Sequence, residues 1–435
     1  MTISTAPDTV AAPTVTAPAR SLAYLPWLCG AILLLGLPLI FRSGTALTMM
    51  SLMGIAIIFA LSYNLLLGQT GLLSFGHAVY YGLGAYFVVH AMNAVLTAKL
   101  PVPLPLMPII GGLAGLAFAA MFGWISTKRS GTAFSMISLG LAELVGSSSL
   151  ILRTFFGGEE GITTNRTQLL KVFGYNFGPQ LQVYYLIAVW CILSALIMYA
   201  VTRTPFGRMC NAVRDNPERA QFVGYSPRVV RYIAFCISGF FAGIAGGLTA
   251  INFEIANAQL FSAANSGTVL LATFIGGAGT FFGPILGAVL VSYLQVMLSD
   301  ITEVWQLYFG LMFILVVMFA PGGLAGLILM HRPLVKAGAF GTVLPAYAAA
   351  IIPAAMIFVG VAMVIEMTAH LSVKHGGGSA MKLFGVKFAA NTLPPWLFAI
   401  GLIAGGALAF RWVGPRLTGA WDRARAIARS KGFVV

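Results

Sequence analysis

The sequence predicts an all-α, polytopic helical membrane protein with about 10 to 12 membrane-spanning helices. Hydrophobic residues make up 59% of the chain and charged residues only 8%, whereas a soluble domain carries about 25% charged residues. The mean hydropathy is +0.92. Apolar runs of about 20 residues recur along the chain, and each is long enough to cross about 30 Å of hydrocarbon as a helix.

The elements follow from these runs in order. Residues 1–20 are rich in Ala, Pro and Thr without periodicity, which predicts a disordered N-terminal tail. A first helix, retained in the mature chain, is predicted at 22–41. Further helices are predicted at 45–67, 77–98, 104–126, 132–152, 183–202, 230–251, 266–282, 284–299, 303–320, 344–366 and 394–411.

The distribution of Lys and Arg predicts the orientation of the chain. These residues concentrate in alternate connecting segments and in the basic C-terminal tail, which the positive-inside rule places in the cytoplasm together with the N-terminus. The same segments account for the net charge of +14, so we expect no nucleic-acid partner. The four cysteines lie on separate segments without metal-ligand spacing, so neither a disulfide framework nor a metal site is predicted.

Two glycine-rich segments, 68–77 and 275–284, interrupt apolar runs. Non-helical backbone at membrane depth is tolerated only inside protein or along a cavity, and paired breaks in the two halves of a chain are typical of a substrate pathway. A tight turn between helices would explain either break alone. The predicted pathway residues are the polar groups around the first break and one carboxylate within a span: Asn64, Gln69, Thr70, Gly71, Ser74, His77 and Glu143.

Each of these pathway predictions has a structural alternative. The polar groups near the first break could satisfy the unwound backbone, and Glu143 could lock helices together by pairing with a basic group. Asn252 and Glu254, at the end of their helix, are expected to be solvated. Glycines repeated every fourth residue predict two smooth stripes for close helix packing: Gly239, Gly243 and Gly247, and Gly279, Gly283 and Gly287.

The segment 203–231, called the polar loop below, gathers charges in an otherwise apolar chain, so it must protrude into water. We predict that it is a docking surface in which Asn216-Pro217 starts a short helix. Val213, Ala220 and Phe222 would form the buried part of the contact, with charged residues around it. The predicted docking residues are Val213, Arg214, Asp215, Asn216, Glu218, Arg219, Ala220 and Gly224.

No catalytic motif accompanies this loop. The chain lacks a GxxxxGK[ST] phosphate loop, an HExxH motif and a GxSxG elbow, so we expect no enzyme activity and no cofactor in this chain. Energy must therefore come from another subunit or from an ion gradient.

Five runs carry a recognisable pattern: Tyr63–Ala78, Gly82–Tyr86, Ala212–Ala220, Phe274–Gly287 and Phe319–Gly326. Together they resemble the inner-membrane permease subunits of branched-chain amino acid ABC transporters. The resemblance implies a bacterial inner-membrane protein that pairs with a second related permease, two cytoplasmic ATPase subunits that bind ATP, and a periplasmic solute-binding protein. It implies that the polar loop couples to those ATPases. It covers about residues 40–330.

The chain is accordingly divided into the tail at 1–20, a permease domain at 21–330 and an extension at 331–435. The extension, with about two further spans and a basic tail, is one that members of the family usually lack. Importers of urea and short amides share these motifs, so the solute stays open. A self-sufficient ion-coupled transporter and a passive channel are the alternatives from other classes, although neither needs a docking loop.

Overall fold

The computed structural model describes residues 25–170, 174–373, 380–383 and 386–432; the predicted tail at 1–20 lies outside them. The structure is 81% helical. In the described part of the chain, ten helical segments are long and apolar enough to span a membrane, and two shorter apolar helices accompany them. The predicted all-α polytopic membrane fold is confirmed.

The helices are α1 Leu25–Ile40, α2 Gly44–Thr70, α3 Ala78–Ala98, α4 Met107–Ser126, α5 Thr132–Ile151, α6 Arg153–Phe156, α7 Gln180–Arg203, α8 Pro205–Asp215, α9 Pro217–Phe222, α10 Pro227–Phe253, α11 Ala263–Gly276, α12 Gly283–Ile301, α13 Trp305–Phe319, α14 Gly323–Lys336, α15 Leu344–Val373 and α16 Leu393–Ser430. The described residues also form two short antiparallel strand pairs. Strand β1 Ile162–Thr163 pairs with β2 Ile255–Ala256, and β3 Ala380–Leu383 pairs with β4 Val386–Ala389.

Three helices differ from their sequence predictions. The span predicted at 266–282 is the 14-residue helix α11, about 21 Å long, because the chain unwinds after Gly276. A separate helix, α14, follows the span predicted at 303–320. The helix predicted to end at 411 continues as α16 to Ser430 without a break at Pro415.

Helices α2 and α10 form the centre of the bundle, since 78% of the most apolar stretch of each helix is buried inside the protein. Glycines on α10 allow this packing. A Cβ atom at Gly243 would overlap the carbonyl oxygen of Gly111 on α4, and one at Gly239 would overlap the side chain of Ala119. A Cβ at Gly247 would lie 2.9 Å from Val88 on α3. The stripe on α10 therefore sets the distance between three helices.

The second predicted stripe is only partly a packing surface. Cβ atoms at Gly283 and Gly287 would overlap the carbonyl oxygens of Gly277 and Ala272. Gly279, however, lies in the turn between α11 and α12 with open space around it. The prediction that Gly279 belongs to a helical stripe was wrong, because the chain is not helical there.

The α10 contacts give a direct test of packing. Gly243→Ala is expected to destabilise the protein by about 3 kcal/mol, because its methyl group meets backbone atoms that cannot rotate away. Gly140→Ala on α5 is the matched control, since nothing lies within 4 Å of its Cβ position. Thermal unfolding in detergent measures both variants. Equal stability of the two would contradict the close crossing of α4 and α10.

Arg166 fixes the long connection between α6 and α7 to the end of α10. Its side chain is 10% exposed and lies 4.0 Å from the Glu254 carboxylate. Its guanidinium donates to the carbonyl oxygens of Ile251, Asn252, Phe177 and Gly178. Asn252 is buried and accepts a hydrogen bond from Gln180 at 2.8 Å. The expectation that Asn252 and Glu254 are merely solvated was wrong, because this connection folds back over them.

Arg166→Ala is therefore expected to destabilise the protein by about 3 kcal/mol, since several acceptors lose a charged donor at once. Arg153→Ala, in an exposed position on α6 of the same connection, should change stability far less. Thermal unfolding measures the stability, and limited proteolysis between α6 and α7 measures the local effect. An unchanged melting temperature and cleavage rate for Arg166→Ala would contradict the anchoring role.

Helices α15 and α16 form a separate hairpin beside the main bundle. At its base, Leu334, Ala337 and Val343 pack with Ala424 and Ala428 of α16. Tyr308 on α13 donates to the Glu366 carboxylate on α15 at 3.0 Å. The hairpin is thus attached to the bundle at α14 and at α13.

Candidate functional site

The first glycine-rich break occupies the connection between α2 and α3. Gly71 ends α2 with φ of 71°, a left-handed conformation that favours glycine. Within the break, the Tyr63 hydroxyl donates to the Ser74 carbonyl oxygen at 3.0 Å. The His77 Nε2 atom lies 3.0 Å from the Ser62 hydroxyl, and the His77 ring stacks on Phe59. These contacts fold the break tightly onto α2.

Most polar groups of this break are enclosed by the chain itself. Asn64, Thr70, Ser74 and His77 are each at most 2% exposed, and Gln69 is half-buried. Thr70 donates to a carbonyl oxygen within α2, and the Ser74 hydroxyl has no hydrogen-bond partner among the described residues, so neither side chain supports the unwound backbone. The pathway role of these residues stays a prediction, and contact of the enclosed groups with a solute would require the break to move.

The two glycine-rich breaks contact each other, although 216 residues separate the contacting positions. The Asn64 amide donates to the carbonyl oxygen of Thr280, in the turn between α11 and α12, at 3.1 Å. Gly68 lies against the Ala278 carbonyl oxygen, which a Cβ atom at residue 68 would overlap. Glycine at position 68 therefore permits the contact between the breaks.

Arg214 of the polar loop reaches the same point. Its guanidinium donates to the Gly68 carbonyl oxygen and pairs with Asp215 at 3.0 Å. Its aliphatic stem covers Gly71, where a Cβ atom would lie 3.1 Å from the Arg214 Cγ. One arginine thus connects α8 to the end of α2. We call this cluster the junction, and define it as Asn64, Gly68, Gly71, Arg214 and Thr280.

The polar loop has an anchored half and an exposed tip. Val213 and Ala220 are 0% and 5% exposed and pack into the core of this chain. The prediction that they contact a partner was therefore wrong, because α8 lies flat against α2, α7 and α10. The buried Cys210 on the same face has its thiol pKa raised to about 12 by burial, so it stays protonated.

The tip consists of Phe222, Val223 and Tyr225, which are 89%, 74% and 46% exposed. Asn216 starts α9 as predicted, and its side chain accepts a hydrogen bond from the Arg219 backbone at 3.0 Å. Glu218 and Arg219 are exposed beside the tip. Gly224, with φ of 93°, turns the chain between the apolar side chains.

Glu143 lies on the exposed side of α5. It shares this side with Met136, Gly140, Ser147 and Leu150, and successive members of this set are three or four residues apart. No described basic residue pairs with the Glu143 carboxylate. Among the described residues, Glu143 therefore does not lock two helices of this chain together through an ion pair.

A partly open cavity of about 320 Å³ lies in the half of the bundle away from the junction. It is enclosed by α2, α3, α11 and α12 and lined by Leu52, Ile55, Ala56, Phe59, Tyr81, Asn265, Thr268, Val269, Ala272, Ala288, Val291, Ser292, Gln295, Val296 and Ser299. No sequence motif indicates this cavity. The available signal was Gln295, an amide within the apolar run that forms α12.

The family of the chain is decided by its match to a family model. The model for the branched-chain amino acid transport system permease component matches residues 45–321. The chain belongs to this permease family. The matched residues of the permease include both breaks, the polar loop, Glu143 and the cavity, and they end before α14, α15 and α16.

Curated relatives agree with this assignment. The permease is 29% identical to the high-affinity branched-chain amino acid transport system permease protein LivM of Escherichia coli, over 65% of this chain and 69% of LivM. It is 22% identical to BraD of Pseudomonas aeruginosa, a high-affinity branched-chain amino acid transport system permease protein, over 61% of this chain and 90% of BraD. It is 26% identical to the fructose import permease protein FrcC of Rhizobium meliloti, over 42% of this chain and 54% of FrcC. No solved structure matches the permease.

Proposed function

We propose that this permease is the transmembrane subunit of an ATP-driven importer of branched-chain amino acids. A second related permease, two ATPase subunits and an external solute-binding protein complete the importer. The named solute of LivM and BraD supports amino acids over urea or short amides. The chain itself catalyses no reaction and holds no cofactor, and ATP binds to the partner subunits.

The single observation that carries this proposal is the form of the polar loop. One half is packed into the membrane bundle and bonded to the junction through Arg214, while the other half exposes Phe222, Val223 and Tyr225 to solvent. An apolar tip beside charged residues has the composition of a protein interface. A loop with these two halves suits the transfer of force from a soluble ATPase to the bundle.

This role fixes the proposed orientation. ATPases lie in the cytoplasm, so the side of the bundle that carries α8, α9 and the junction is cytoplasmic. The membrane is the bacterial inner membrane, and both termini of the chain lie on the same cytoplasmic side. The connection between α6 and α7 then faces the solute-binding protein, to which it presents the exposed Glu159 and Glu160.

The exposure of Glu143 supports a solute path along α5. A carboxylate that faces lipid at the centre of a span costs about 2.5–3.5 kcal/mol. Because Glu143 is exposed and unpaired among the described residues, we propose that this side of α5 faces the second permease across a hydrated path.

Glu143→Leu is expected to lower leucine import about tenfold, because it removes the hydrated group from the path without disturbing a contact of this chain. Ser147→Ala, on the same exposed side of α5, is the control and should import leucine normally. Import into proteoliposomes measures both variants. Normal import by Glu143→Leu would remove α5 from the path.

The function as a whole is tested with proteoliposomes that contain the two permeases and two ATPases, together with loaded binding protein. Leucine import that requires ATP hydrolysis and persists after collapse of ion gradients is expected. Import driven by an ion gradient without the ATPases would establish secondary transport instead, and unsaturable flux would establish a channel.

A further inference from the structure

We propose that the cavity between α2, α3, α11 and α12 is a solute-binding site inside this single subunit. It would take a small neutral zwitterion with an aliphatic side chain. This inference rests on the proposed import function and adds a place at which the solute pauses.

The size and apolar wall of the cavity fit such a solute. A volume of about 320 Å³ is at the lower end of the range for small-molecule pockets, about 300–1,000 Å³, and therefore suits a small ligand. Ile55, Ala56, Val269 and Val291 provide an aliphatic wall. An aliphatic side chain of the solute would contact this wall.

The polar wall of the cavity favours a polar occupant over lipid chains. Gln295 and Ser292 line it, and neither forms a hydrogen bond with a described residue. An amide in an apolar medium without a hydrogen-bond partner costs about 2–7 kcal/mol. Gln295 is half-buried in this partly open cavity, and water or a polar ligand beside it would satisfy its amide.

The charge of the lining selects among polar ligands. None of the lining residues is charged, so a solute with a net charge would lose its hydration without gaining an opposite charge. The amino and carboxylate groups of a zwitterion can instead bond to side-chain amides and hydroxyls. Asn265, in the first turn of α11, adds the positive end of a helix dipole beside the cavity.

The cavity is mechanically connected to the junction. Its lining residue Phe59 stacks on His77 in the first break, with ring centroids 5.4 Å apart. Helices α11 and α12 form its other walls, and the turn between them is held by Asn64 through Thr280. A shift at the junction therefore changes the width of the cavity.

The test uses the assembled transporter with Cys29 and Cys236 replaced by serine, so that Ser292→Cys is the introduced accessible thiol. A small methanethiosulfonate reagent is expected to label Ser292→Cys, and leucine delivered by the binding protein should slow labelling about tenfold, whereas lysine should not. Labelling that leucine leaves unchanged would overturn the proposal.

Two transport variants complete the test. Gln295→Leu should reduce leucine import per ATP about tenfold, and Val289→Leu, on the exposed side of α12, is the control. Gln295→Glu has nearly the same shape and should shift import away from leucine and towards basic amino acids. If the wild type imports leucine with ATP and the two Gln295 variants import it equally well, the cavity proposal fails while the proposed import function stands. If the wild type does not import leucine, the proposed function fails.

Discussion

Replacing Arg214 with alanine is expected to lower leucine import per ATP hydrolysed about tenfold, within the usual range for energetic coupling between sites, while ATP hydrolysis continues. The guanidinium bonds to the Gly68 carbonyl oxygen, and the stem covers Gly71. Without the side chain, the polar loop can still hold the ATPase but no longer displaces the end of α2. The measurement is the ratio of imported leucine to released phosphate in proteoliposomes.

Two further variants separate this effect from a general loss of charge. Arg208→Ala removes an exposed arginine from the same helix, and it should keep the wild-type ratio because no described residue pairs with Arg208. Arg214→Lys keeps the charge but cannot bond to both Gly68 and Asp215 with one planar group, so an intermediate ratio is expected. A normal ratio for Arg214→Ala would show that the junction does not transmit force.

Phe222→Asp is expected to weaken attachment of the ATPase subunits about 30-fold, which corresponds to about 2 kcal/mol for the loss of a central aromatic contact. Phe222 is the most exposed side chain of the tip, at 89%, and it contributes nothing to the core of this chain. The folded permease should therefore keep its melting temperature. Co-purification of the ATPase and solute-stimulated ATP hydrolysis measure the effect.

Gln221→Asp is the matched control for this variant. It adds the same negative charge to the neighbouring exposed position of α9 without removing an aromatic ring. It should bind ATPase with an affinity close to that of the wild type. Equal weakening by both variants would attribute the effect to charge, and no weakening by Phe222→Asp would remove the tip from the interface.

Local patterns in the sequence predicted much of the site. Asn216-Pro217 predicted the start of α9, because an asparagine cap followed by proline needs no distant partner. The glycine-rich runs predicted that the chain unwinds after α2 and after α11, although the helix predicted at 266–282 ended six residues too late. Glycines at every fourth position predicted the packing of α10, since that helix is regular over the whole stripe.

Contacts between distant segments were not predictable in this way. Asn64 bonds to Thr280, and Arg214 bonds to Gly68 across 146 residues. Composition identifies Arg214 as a surface charge, and only the position of α8 against α2 turns it into an internal connection. The burial of Val213 and Ala220 within this chain is unpredictable for the same reason, because a sequence shows that a residue is apolar but not which surface covers it.

The central claim is that the tip of the polar loop and the turn between α11 and α12 move together through the junction. Spin labels at Gln221→Cys and Gly279→Cys, both exposed positions, measure their distance in the assembled transporter. In the wild type, we predict that the distance between the two labels is the same with and without bound ATP. In Arg214→Ala, we predict that this distance changes when ATP binds. A wild-type distance that changes on ATP binding as much as it does in Arg214→Ala would contradict the claim.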